Sequence, residues 1–447
     1  MSIIGRGSAY EGQREDPDVG WKHRVKYAED WRGAFAYRPN EVVTTRGEEA
    51  RAISMEGWGE AALSVEIVEE LGPCVRLANV PEPLRLIEDL RLRGIVAQPN
   101  HVFFLHCSCC PPHPASGGFG VFGVNPASIN PASINPASIN PASINPAHAA
   151  RITGLRRSSA RPATPTADDV EALTARICAE GADGAPRVIV LDTGLAGHGH
   201  SPSVLSNAVA IHAASGADID EPDNDSNDYL DPAAGHGTFI AGIINQVAPG
   251  CDVTVDRVAT MYGDTDEFTA ARLIDGLESD DRTILSLSFG GHAMDNAAVE
   301  LGWAVRRFQS KGGVVVASAG NDSSCLPAFP AALPDVVSVG AVGPSGPAPF
   351  TNYGPWVRAC APGVDLTSLF FRGFRGKGQP GPDGVDPDDF AGWARWSGTS
   401  FSVPVVVGAL ARMMMWSGCS AGDAVSRVID APELMRISGL GTIVNVI

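Results

Sequence analysis

Apolar positions fall into two patterned regions separated by a tract that lacks any core-forming period. In the first, residues 41–106, Val42-Val43-Thr44-Thr45, residues 75–80 and Val102-Phe103-Phe104-Leu105 read as strands. Residues 83–93 carry apolar positions at helical spacing, and 61–71 also read as a helix. Together they predict a small α+β unit. In the second region, Val188-Ile189-Val190-Leu191, Ile284-Leu285-Ser286-Leu287 and Val314-Val315-Val316-Ala317 are continuous apolar runs that alternate with helical stretches. Such runs belong to strands buried on both faces of a parallel sheet, so functional residues are expected just beyond their carboxyl ends. The apolar stretch 403–416 reads as a buried helix, shorter than a membrane span.

Between the two regions the sequence Asn-Pro-Ala-Ser-Ile recurs from Asn125, Asn130, Asn135 and Asn140. A proline every fifth residue excludes a regular helix and a central strand. With the Pro-rich and polar flanks this predicts a linker over 107–166 that acts as a spacer. The organisation expected is therefore an N-terminal extension (1–40), the small unit (41–106), the linker (107–166) and a large domain (167–447).

Length and charge then narrow the partners. A chain of 447 residues is too long for one ordinary core and suits one large domain with accessories. The net charge of -18 argues against a nucleic-acid partner, and the short basic run 151–161 does not reverse it. The N-terminus shows no apolar core of signal-peptide length, and nine cysteines at scattered positions fit reduced thiols. Both features point to a cytoplasmic protein with no membrane partner.

The chemistry lies in separate motifs. A serine hydroxyl attacks a carbonyl only with a base to take its proton, a carboxylate to orient that base, and donors for the oxyanion. Asp192 ends an apolar run and precedes Thr193-Gly194; His236 sits in Gly235-His236-Gly237-Thr238 before a small, apolar helix. Ser400 lies in Ser397-Gly398-Thr399-Ser400 at the head of another apolar helix, with Pro404 expected in its first turn, and Asn321 follows Ala319-Gly320. Asp-Thr-Gly also occurs in aspartic peptidases, but those need a second such Asp, and none is present in a matching motif.

In this order the four blocks resemble the signature motifs of the subtilisin-like serine peptidases over roughly residues 186–447. The resemblance implies a three-layer α/β domain with a mostly parallel sheet and hydrolysis of protein or peptide substrates through an acyl-enzyme. It assigns Asp192, His236 and Ser400 as the triad and Asn321 as an oxyanion donor. Ser288, Phe289 and Gly290 would pair with an extended substrate, and Ala317, Ser318, Ala319 and Gly320 would line the pocket for the residue before the cut. Phe350-Thr351-Asn352-Tyr353-Gly354 is a further family-like stretch. Departures are Ser402 where the family usually has Ala, and Val405 where His is common.

No cofactor is expected. The chain after His236 lacks the insertion that forms a calcium loop in many relatives. The cluster Asp218, Asp220, Glu221, Asp223, Asp225, Asp228 and Asp231 does not match EF-hand spacing and reads as a solvated acidic loop. His106, Cys107, Cys109, Cys110 and His113 are crowded for a zinc knuckle. Residues 41–106 resemble the family's propeptide module, a ferredoxin-like unit that aids folding and lays its last strand in the active site. An intramolecular inhibitor is therefore expected, with any self-cleavage at or just after His106. Two further readings stay open: a catalytically silent peptide-binding module, and a dedicated maturation or defence protease with one protein partner.

Overall fold

A computed structural model describes residues 25–30, 33–45, 65–106, 184–197, 199–205, 208, 210–376 and 390–445. The repeat-bearing tract and the basic run lie outside these residues.

The N-terminal unit is a sheet built from β1 (Lys26–Asp30), β2 (Gly33–Thr44), β3 (Glu66–Leu71), β4 (Cys74–Ala78) and β5 (Ala97–Leu105), with one described helix, α1 (Pro83–Leu92). It begins well before residue 41: β1 pairs with β2, and Ala28, Phe35 and Tyr37 join its core. The boundary expected at residue 40 therefore cuts through a strand. The helix expected over 61–71 is also corrected, since 66–71 form β3 against β4. Its exposure alternates, with Glu66, Val68 and Glu70 outward, so the deciding period is two rather than helical. In β5, Pro99 can donate nothing to the ladder, and the neighbouring β2 shifts register beside it.

The large domain opens with β6 (Arg187–Asp192), the short β7 (Leu195–Ala196), β8 (Ile211–Ala213) and β9 (Ile219–Asp220). Next come α2 (His236–Val247), β10 (Asp252–Arg257), β11 (Asp264–Asp266), α3 (Glu267–Gly276), β12 (Thr283–Leu287), β13 (Phe289–Gly290), α4 (Val299–Ser310) and β14 (Val314–Ser318). The rest is β15 (Val337–Gly343), β16 (Gly346–Pro347), β17 (Ala359–Pro362), the hairpin β18 (Leu366–Arg372) and β19 (Ala391–Trp396), α5 (Thr399–Ser417), β20 (Arg436–Ile437) and β21 (Gly441–Ile443).

The main sheet runs β20-β21-β17-β15-β14-β12-β6-β10-β8 and is parallel from β21 through β8. Its central strands are buried on both faces because helices cover them: α2 and α5 pack together over the sheet, and α3 pairs with α4. This is the three-layer α/β arrangement that the apolar runs imply. Helix α5 is long and apolar enough to cross a membrane, contrary to the shorter stretch read from sequence, yet 78% of its apolar window is buried inside the fold. It is a core helix.

The N-terminal sheet does not stop at its own edge. Strand β5 pairs antiparallel with β11 on one side and β13 on the other, so a strand of the small unit lies between two strands of the large domain. All nine residues of β5 are buried.

Candidate active site

Asp192 is the last residue of β6, and His236 opens α2. Both are fully buried, and a 2.7 Å hydrogen bond joins His236 Nδ1 to Asp192 Oδ1. Local backbone makes this approach possible. Gly235 caps α2 with φ of 80°, in the left-handed region that favours glycine, and a Cβ on Gly237 would lie 2.3 Å from the Gly194 carbonyl oxygen. The Thr193 N–H donates to Asp192 Oδ1 at 2.8 Å, and the Gly237 N–H donates to Thr193 Oγ1 at 3.1 Å. The imidazole packs against the rings of Trp396 and Phe401, with centroids 5.5 and 5.2 Å away.

Sequence reasoning missed one part of this framework. Asp220, placed with the solvated acidic loop, is buried. Its Oδ2 accepts from Thr193 Oγ1 at 2.6 Å and from the Gly235 N–H at 2.8 Å, which ties the Asp192 and His236 loops together. Burial pushes its carboxyl up to about 8. Asp231 is buried as well and accepts from Asn224. Carboxylate oxygens of Asp223, Asp225 and Asp231 lie within 4.8 Å of one another. Of the other five acidic residues, Asp225 and Asp228 are exposed, whereas Asp218, Glu221 and Asp223 are half-buried, so the loop is only in part the solvated one expected.

Ser400 is the second residue of α5 and is also fully buried. Pro404 lies in the helix interior rather than in its first turn. It has no N–H for the Ser400 carbonyl four residues back. Ser288 Oγ supplies the missing donor, at 3.1 Å. In return Ser400 Oγ donates to the Ser288 carbonyl at 2.9 Å. Among the described residues His236 Nε2 and Asp192 Oδ2 have no hydrogen-bond partner, so no hydrogen bond joins Ser400 to His236 in this arrangement. Behind the serine, the Ser402 hydroxyl is satisfied by the Ala361 carbonyl at 3.0 Å, and Val405 is buried, so both departures are absorbed by packing.

Asn321 follows β14, and its Oδ1 accepts from the N–H (3.0 Å) and hydroxyl (2.8 Å) of Thr399, the residue before Ser400. That fixes the amide and leaves its NH2 as the donating end. The loop carrying it rests on buried Asn352, whose Nδ2 donates to the Ala319 carbonyl and whose Oδ1 accepts from the N–H groups of Asp322 and Ser324. Gly320, at φ of 111°, passes so close that a Cβ would lie 2.2 Å from that amide.

The cleft between β11 and β13 is filled by the end of β5. Phe289 pairs with Leu105 and Gly290 with Phe104; the Leu105 N–H donates to the Gly263 carbonyl at 2.8 Å and the His106 N–H to the Ser288 carbonyl at 3.0 Å. The backbone N–H of Ser400 donates to the His106 carbonyl oxygen at 3.1 Å. The His106 ring is buried, with Nδ1 2.6 Å from Ser318 Oγ. The other members of the His106 to His113 cluster lie outside the described residues.

Residues 184–418, more than half of the chain, match the subtilase family (Peptidase_S8). A thermophilic serine proteinase of Bacillus sp. (strain AK1) is 32% identical over 253 residues, 51% of this chain and 56% of that protein. Thermitase of Thermoactinomyces vulgaris is 28% identical over 267 residues, 57% of this chain and 83% of its own. The chain spans about half the length of several curated relatives it matches. A crystal structure of a cold adapted subtilisin-like serine proteinase aligns over 58% of this chain and 88% of that one, with 21% identity and a TM-score of 0.45. With residues 184–418 matching the family over more than half its length, this chain belongs to the subtilase family.

Proposed function

We propose that this protein is a serine endopeptidase whose N-terminal unit restrains it by occupying the substrate cleft. Ser400 is the nucleophile, His236 the base and then the acid, and Asp192 the carboxylate that orients His236 through Nδ1. The Ser400 N–H and the Asn321 amide bind the oxyanion. The observation that carries the reading is the hydrogen bond from the Ser400 N–H to the His106 carbonyl, because it sets a peptide carbonyl at the nucleophile's own residue. The names of the relatives, proteinase and thermitase, support the same activity.

Catalysis requires an exchange of partners. Ser400 Oγ must leave the Ser288 carbonyl for His236 Nε2, which then receives its proton as Oγ attacks the carbonyl carbon. The C–N bond breaks, the leaving amine takes the proton from His236, and water resolves the acyl-enzyme by the same route in reverse. In the restrained chain the carbonyl presented is that of His106, so the His106-Cys107 bond is the one this site cuts in its own sequence. A fluorophosphonate tests the assignment: with the cleft freed by Leu105→Asp it should label Ser400, identified by peptide mapping, and should fail to label the same chain carrying His236→Ala. Labelling at any other serine would refute it.

A further inference from the structure

We propose that Ser318 makes the cleft select histidine as the residue whose carbonyl is attacked, so that its substrates are extended peptides of the pattern apolar-x-Leu-His, cut after the histidine. This rests on the peptidase reading above and specifies its substrate class. Leu105 and Phe103 are buried in a core cluster made mostly of large-domain residues, with Val43, Leu71 and Cys74 of the N-terminal unit at its margin, whereas Phe104 and Val102 pack with Val25 and Ala36 of the N-terminal unit alone. The cleft therefore reads positions 103, 105 and 106 and ignores 104.

At 106 the fit is chemical as well as steric. The ring is enclosed, and its Nδ1 meets the Ser318 hydroxyl at 2.6 Å. The Gly290 backbone hydrogen-bonds to the ring, and a Cβ on Gly290 would lie 2.8 Å from Cε1, so glycine is what leaves room for an imidazole. A pocket that supplies a hydroxyl to a planar nitrogen heterocycle loses that bond with an aliphatic or phenyl side chain and leaves a buried hydroxyl unpaired. The pocket takes the neutral ring. Burial pushes His106 down to about 4, outweighing Asp322, which favours the charged form; His292 and His236 nearby oppose it.

The test uses the purified full chain carrying Leu105→Asp, which frees the cleft of β5, and internally quenched peptides Phe-Phe-Leu-X, with X as His, Phe, Leu or Lys, alongside fluorophosphonate labelling of Ser400. The expected result is a kcat/KM for X = His at least roughly tenfold above X = Phe or Leu, with the His:Phe ratio falling to about one in Ser318→Ala. The same ratio should fall as pH drops below about 6.5, where the free peptide's imidazole becomes charged. Hydrolysis with no preference for His, a ratio unmoved by Ser318→Ala, or labelling of Ser400 without hydrolysis of any peptide would each overturn the proposal while leaving Ser400 as the nucleophile. Neither labelling nor hydrolysis would overturn the peptidase reading and this proposal with it.

Discussion

Ser288 and Ser400 exchange two hydrogen bonds: the Ser400 hydroxyl donates to the Ser288 carbonyl, and the Ser288 hydroxyl donates to the carbonyl of Ser400. The second bond replaces the helical one that Pro404 cannot make. Ser288→Ala would leave that carbonyl buried and unpaired, a cost of about 1–3 kcal/mol. Thermal unfolding of this variant should shift down by several degrees. An unchanged Tm would show that the carbonyl finds another donor.

Asn321 has two separable tasks, holding Thr399 through Oδ1 and offering its NH2 to the oxyanion. Asn321→Ala removes both and should lower kcat by about 10²–10³ with little change in KM. Asn321→Asp keeps an acceptor for Thr399, so it should lose kcat while retaining more of the Tm. Full activity in Asn321→Ala would remove the residue from the oxyanion site.

Leu105 anchors the occupying strand in the cleft, where it is buried and joined to Gly263. Leu105→Asp buries an unpaired carboxylate in place of an apolar side chain, which favours departure of β5. Hydrolysis of an added peptide should rise by at least about tenfold relative to the unaltered chain. A rate that stays the same or falls would mean that β5 does not restrain the enzyme.

The contact between the two units also carries a pH dependence. Gln98 Nε2 donates to the buried carboxyls of Glu267 (2.8 Å) and Glu300 (2.6 Å), and His101 Nδ1 lies 2.6 Å from Glu267. Burial raises Glu267 to about 7 and Glu300 well above its ordinary value. Below pH 4.5 both the folded and unfolded forms hold these protons, so nothing is lost. As pH rises towards 7 the unfolded carboxyl ionises while the folded one does not, and stability falls by up to about 1.4 kcal/mol per pH unit for each group. Glu267→Gln should flatten the slope of Tm against pH between 4.5 and 7. An identical slope in the variant would contradict the burial account.

Much of the site was legible because it lies at the ends of apolar runs. Asp192 closes one, Asn321 follows another, and His236 and Ser400 open apolar helices, so local pattern alone placed each on its element. What escaped depended on contacts between distant positions. Asp220 looked like its acidic neighbours, and only its approach to Thr193, 27 positions away, makes it a buried strut. Gln98 meets Glu267 and Glu300 across 169 and 202 positions. The stretch 66–71 carries Glu66, Glu69 and Glu70 among its apolar residues, and its pairing with β4 decides between helix and strand.

The central claim is that Ser400 cuts peptide bonds, including the one after His106. Intact-mass analysis of the wild-type chain beside Ser400→Ala, with hydrolysis of an added peptide followed in the same samples, tests it most directly. The account predicts wild-type fragments that separate between His106 and Cys107 and measurable peptide hydrolysis. Ser400→Ala should give an intact chain of unchanged Tm with no hydrolysis. Fragments at the same bond, or retained hydrolysis, in Ser400→Ala would contradict it.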